Sequence, residues 1–228
     1  MEKIAEIREK ISTSNIAELP GLIALYGEDE RSGVKAAVAA AKKRLGAYEK
    51  EVLRTEGMKR YEKEYGEYSC ICGIDEVGRG PLAGPVVAGA VILPKDCNLL
   101  YLNDSKKLSE KKREELYAGI MEEAVAVGIG YNTPARIDEI NILQATYEAM
   151  REAVSRLSVK PDLLLNDAVT IPKIDIRQVP IIKGDAKSIS IAAASIVAKV
   201  TRDRLMVKYD GIYPEYGFAS NKGYGSPM

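Results

Sequence analysis

Two apolar runs, residues 68–75 and 86–93, flank a ten-residue link that holds three glycines and two prolines. Each run suits one strand of a sheet. A link this short predicts antiparallel neighbours, because a parallel return needs a crossover of about a dozen residues or more. The first run ends on Asp75-Glu76, so the same fold delivers two adjacent carboxylates to a strand end. Beside them stands a glycine-flanked arginine, in the stretch Ile74-Asp75-Glu76-Val77-Gly78-Arg79-Gly80-Pro81. Carboxylates are hard oxygen ligands for Mg²⁺ or Mn²⁺. The glycines allow backbone N–H groups close to a substrate, and Arg79 offers a planar donor for phosphate or sugar oxygens.

Downstream, helix and strand patterns alternate. Ser109 is placed to cap a helix to about Glu122, and residues 124–131 read as a third strand. Thr133-Pro134 opens a helix whose Ile140, Leu143, Tyr147, Met150, Val154 and Leu157 recur at helical spacing. Leu163-Leu164-Leu165 predicts a short buried strand ending at Asn166-Asp167, and residues 176–182 a fifth strand ending at Gly184-Asp185. A long helix over residues 189–209 carries the small residues Ala192, Ala193, Ala194 and Ser195, suited to close packing on a sheet. The expected class is α/β: a mixed five-stranded sheet flanked by helices. Residues 1–65 read as a helical N-terminal extension and 66–228 as the catalytic domain. In the extension, Ile4, Ile7 and Ile11 stripe a first helix ending near Pro20-Gly21. A second runs from about Glu30 through Val34, Ala37, Val38, Ala41 and Leu45 to Tyr65, weakened at Gly46 and Gly57. Its triplet Lys42-Lys43-Arg44 reads as a solvated face.

Composition narrows the chemistry. The chain has no histidine, which removes Ser-His-Asp and Cys-His catalysis and histidine-ligated zinc. Three cysteines make neither a disulfide framework nor a four-cysteine zinc site. The 33 basic and 33 acidic residues balance, so any nucleic-acid contact rests on local charge. No apolar run spans a bilayer, and the first residues lack a secretory h-region; a cytoplasmic, monomeric protein is expected.

Three acidic sites fall at predicted strand ends: Asp75-Glu76, Asp167 and Asp185. Groups beyond strand carboxyl ends gather in open α/β sheets, so these four carboxylates can converge. Clustered carboxylates repel one another unless cations neutralise them, and such a cluster can hold two divalent ions about 3.5–4 Å apart for phosphodiester hydrolysis. Singly, each has a plainer reading: turn chemistry at Asp75-Glu76, a solvated loop at Asp167, a helix cap at Asp185. Together they reach metal-dependent phosphoryl chemistry and no further. Lys106, Lys183 and Lys187 lie in loops near the same sheet end, available for phosphates. Asp203 sits about five helical turns past Asp185, on the order of 27 Å along a straight axis. Pairing with Arg202 or Lys199, or a supporting role behind the ligands, is expected of it rather than direct ligation.

Over residues 68–228 the chain resembles bacterial type 2 ribonuclease H. The resemblance rests on Asp75 through Val87, Asn103-Asp104-Ser105-Lys106-Lys107-Leu108-Ser109, Asn141-Ile142 and Lys183-Gly184-Asp185-Ala186-Lys187-Ser188. It continues in Ile191 through Val200, Thr201-Arg202-Asp203-Arg204 and Lys222-Gly223-Tyr224-Gly225. It implies a ribonuclease H-like fold and cleavage of RNA in RNA–DNA hybrids and 5′ to single ribonucleotides in duplex DNA. Two Mg²⁺ or Mn²⁺ ions would be held by Asp75, Glu76, Asp167 and Asp185, with Asp75 bridging. The resemblance assigns the ribose 2′-hydroxyl to Gly78, Arg79 and Gly80 and the junction sugar to Tyr224. Arg79 and Pro81-Leu82-Ala83-Gly84 favour type 2 over the related type 3 enzymes. The chain differs from the family at Ala168, where members generally carry glycine, and at Ser226-Pro227-Met228, where members usually continue into a further helical segment. Another nuclease on the same fold, or a non-catalytic nucleic-acid binder, are the competing readings.

Overall fold

The computed structural model describes residues 2–225; the terminal Ser226-Pro227-Met228 singled out in the sequence lies outside them. The chain divides into two compact units at Glu56/Gly57. The first contains α1 (Ile4–Thr13), a 3₁₀ turn (Ile16–Glu18), α2 (Leu19–Tyr26) and most of α3 (Ser32–Met58). Pro20-Gly21 therefore opens a helix instead of closing one: proline fits the first turn, where its missing N–H has no partner to lose. Helix α3 runs through Gly46 and Gly57. The core of this unit is Ile7, Ile11, Leu19, Tyr26, Val34, Val38 and Ala41. Arg44, from the basic triplet, donates to the carbonyls of Ile11, Ser12 and Ser14 and so satisfies the open end of α1.

The second unit holds α4 (Arg60–Glu64), β1 (Ile71–Val77), β2 (Val86–Ile92), α5 (Glu110–Glu123), β3 (Ala126–Asn132), α6 (Pro134–Ser155), β4 (Leu163–Asp167), β5 (Arg177–Ile181), α7 (Ile189–Asp210) and α8 (Phe218–Asn221). Helix α4, within the 1–65 extension read from the sequence, clusters with this unit for a packing reason. Tyr61 and Tyr65 pack on Leu163, Leu165, Ile181 and Ile191. Glu62 accepts from the Ser188 hydroxyl at 2.6 Å and the Ser190 N–H at 3.0 Å, capping α7.

The sheet order is β3-β2-β1-β4-β5. β1 and β2 are antiparallel with Asp75 opposite Gly89, as the short link required, and β3 continues the meander. β4 and β5 run parallel to β1, so β1 and β4 present their carboxyl ends on the same side. Helix α7 covers one face and α6 the other. The helices lie unusually close. A methyl on Gly73 would fall 2.1 Å from the Ser190 carbonyl carbon, and one on Gly130 2.0 Å from the Ala149 oxygen. Glycine on the strand lets the helix backbone approach this closely.

Candidate active site

Asp75 stands near the end of β1 and is 6 % exposed. One of its carboxylate oxygens accepts the Glu76 N–H at 2.7 Å. Burial pushes its pKa well above the ordinary aspartate range. The charges of Glu76 and Asp167 push the same way, and the Ser195 hydroxyl of α7 opposes them. Ser195 in turn shares a 3.0 Å hydrogen bond with Ser105, both hydroxyls buried. Glu76 is also raised by burial, against the pull of Arg79, whose guanidinium lies 3.3 Å away.

Asp167 closes β4, and its Oδ1 accepts the Gly184 N–H at 2.7 Å. That bond ties the end of β4 to the 3₁₀ turn Gly184–Ala186, which carries Asp185. Asp185 is raised by burial first and then by Asp104 and Asp167, with Lys106 opposing. Coulombic contacts thus link Asp75, Glu76, Asp167 and Asp185 into one electrostatic group. Among the described residues no three acidic or cysteine side chains already converge on a point where one ion could sit. The donor chemistry nonetheless suits a hard divalent ion: the group offers carboxylates only, with Asp75 buried among them.

The substrate-reading residues expected from the sequence fall around this group. Gly78 has φ +104°, and a side chain there would run into the Pro85 carbonyl and Arg202. Arg79 and Gly80 are exposed. Tyr224 is 43 % exposed, and a methyl on Gly80 would lie 3.9 Å from its ring. Lys106 bears electrostatically on both Glu76 and Asp185. Lys183 and Lys187 are exposed and flank the Asp185 turn. Lys183 adopts the left-handed region, φ +57°.

Asp203 is not a member of the group. It pairs with Lys199 at 2.6 Å and Arg113 at 3.5 Å. Arg202, offered as an alternative partner, turns instead to backbone carbonyls. Sequence reasoning gave no role to Asp104, whose charge reaches Asp185, or to the Ser195 and Ser105 hydroxyls behind Asp75. Asp104 caps its own turn through the Lys106 N–H, and Ser195 reads as one more small residue in an alanine run, so neither had a distinct signal.

Two family models match the chain. Residues 72–228 match that of ribonuclease HII, and residues 3–66 that of the ribonuclease HII N-terminal domain. The chain is 64 % identical over 224 residues to the ribonuclease HII of Lachnoclostridium phytofermentans, covering 98 % of this chain and 88 % of that one. It is 53 % identical over 227 residues to that of Clostridioides difficile, covering 99 % and 89 %. The crystal structure of ribonuclease H2 from Pyrococcus horikoshii superposes with a TM-score of 0.59 at 31 % identity, over 69 % of this chain and 82 % of that one. Over nearly its whole length the chain therefore belongs to the ribonuclease HII family, endonucleases acting on RNA–DNA hybrids.

Proposed function

We propose that the enzyme hydrolyses the phosphodiester 5′ to a ribonucleotide, in hybrids and at single ribonucleotides embedded in duplex DNA, leaving a 3′-hydroxyl and a 5′-phosphate. The observation that carries this reading is the Asp75 carboxylate, its pKa raised by burial and then by its acidic neighbours, beside a glycine-arginine-glycine link and an exposed tyrosine. Asp75, Glu76, Asp167 and Asp185 would hold two Mg²⁺ or Mn²⁺ ions. Bound there, the ions supply charge neutralisation, a more acidic water and stabilisation of the leaving oxygen.

The chain's own groups do the selecting. Backbone groups of Gly78–Gly80 are free of bulky side chains on either side of Arg79 and can approach the 2′-hydroxyl, the group that separates RNA from DNA locally. Tyr224 presents its ring beside Gly80, suited to stacking on the sugar of the next nucleotide. Lys106, Lys183 and Lys187 offer mobile charges to phosphates around the acids. Arg79 holds Glu76 by an ion pair while its own side chain remains 41 % exposed. The test is end-group mapping on an RNA–DNA hybrid with Mg²⁺ and with chelator. Products with 3′-hydroxyl and 5′-phosphate ends, absent in chelator, are expected. Cyclic phosphate ends, or cleavage that survives chelation, would overturn the reading.

A further inference from the structure

Arg202 is among the largest fully buried side chains of the molecule, at 0 % exposure, yet among the described residues no carboxylate holds its guanidinium by a hydrogen bond or ion pair. Its neighbour Asp203 is taken by Lys199 and Arg113. The guanidinium instead donates to three backbone carbonyls: Nε to Pro85 at 2.9 Å, Nη2 to Ala83 at 3.0 Å and Nη1 to Lys222 at 2.8 Å. The first two carbonyls belong to the link that carries Gly78-Arg79-Gly80. The third immediately precedes Gly223-Tyr224. A planar fork with donors in fixed directions can span two chain segments in this way; an ammonium cannot reproduce that geometry.

The backbone on both sides is shaped to the fork. Gly78 and Gly84 take φ of +104° and +97°, and side chains there would come within 2.7 Å and 3.0 Å of the guanidinium. The Gly223 carbonyl accepts from the N–H groups of Leu82 and Ala83 at 2.9 Å and 3.2 Å, a second tie between the same segments. Burying a guanidinium among neutral acceptors is costly, and burial lowers the pKa of Arg202. A structural tie alone needs no charge at this position.

We infer that Arg202 is a positioning residue for ribonucleotide selection, fixing the distance between the Gly78–Gly80 backbone and the Tyr224 ring so that both engage one sugar-phosphate step. This rests on the reading of those two elements given above. Arg202 touches neither substrate nor the acids; it acts through the two loops it joins. Loss of the fork lets the loops drift apart, so selection at an isolated ribonucleotide suffers. A long hybrid, which offers a ribose at every register, is less affected.

The test compares kcat and KM on duplex DNA bearing one ribonucleotide with those on a long RNA–DNA hybrid. Arg202→Lys, Tyr224→Ala and their combination are assayed well below their melting temperatures. Arg202→Lys should lower the single-ribonucleotide to hybrid ratio by about tenfold, comparable with one lost stacking contact. The double variant should lose no more of the ratio than Tyr224→Ala does alone. Equal loss on both substrates would make Arg202 a merely structural residue and overturn the inference. So would full additivity with Tyr224→Ala. An unchanged ratio in Tyr224→Ala would instead remove the underlying junction reading, and the inference with it. Should Arg202→Lys not fold, Gly84→Ala disturbs the same fork from the loop side. A lowered ratio in that variant supports the inference and an unchanged one overturns it.

Discussion

At Asp75, function and stability pull in opposite directions. A carboxyl whose folded-state pKa lies above its unfolded one binds its proton more tightly when folded. Stability then falls as pH rises from the ordinary aspartate range, about 3.9, through the raised folded value. In chelator, Asp75→Asn should therefore melt no lower than wild type at neutral pH, and its advantage should shrink toward pH 4, while cleavage in Mg²⁺ is abolished. Melting curves across pH check the first part and an activity assay the second. Ala168 takes φ +56°, a left-handed conformation that costs a non-glycine residue about 1–2 kcal/mol. Ala168→Gly should accordingly raise stability by about 1 kcal/mol, seen as a melting shift of roughly 2–4 °C, with turnover little changed. Such residues show where the sequence is readable and where it is not. Asp75 and Glu76 were marked by an apolar run ending in charge. Asp104, Ser195 and Arg202 act through distant partners, and only the folded chain brings those partners together.

Among the elements, the five strands followed from the apolar runs and the antiparallel pairing of β1 with β2 from the short link, whereas the strand order and the parallel pairing of β4 and β5 had no local signal. Helix α6 was less legible. Its apolar spacing runs unbroken, yet Asn141 takes φ +67° and its side-chain oxygen accepts from the N–H groups of Leu143 and Gln144. The asparagine restarts the helix as a cap, a local bond that competes with the helical pattern without altering it. Two acids, one before helix α7 and one within it, have opposite fates. Asp185→Asn, in the turn before the helix, should cut turnover heavily and leave the melting temperature near wild type. Asp203→Asn should act through stability, by about 3 kcal/mol, because it strands the half-buried Lys199. Paired turnover and melting measurements distinguish them, and the reverse pattern would mean the fourth acid is misplaced.

For the whole molecule, the division at Glu56/Gly57 separates a helical unit from one with its own sheet core and all four strand-end acids. Among the described residues no helix is long and apolar enough to cross a membrane. Removing residues 2–56 should leave a folded unit that still cleaves hybrid when saturated. Removing residues 2–65 takes away Tyr61, Tyr65 and the Glu62 cap on α7, and should lower the melting temperature well below that of the shorter deletion. A 57–228 fragment that folds and binds but cannot cleave would show that the helical unit completes the catalytic apparatus.

The central claim is that strand-end acids perform hydrolysis while the Gly78–Gly80 link and Tyr224 admit only a ribonucleotide. Its most direct measurement is cleavage, in Mg²⁺, of two duplexes of identical sequence, one all DNA and one with a single ribonucleotide. The account predicts one cut, 5′ to the ribonucleotide, and no cut in the all-DNA duplex. Cleavage of both duplexes at comparable rates would contradict it.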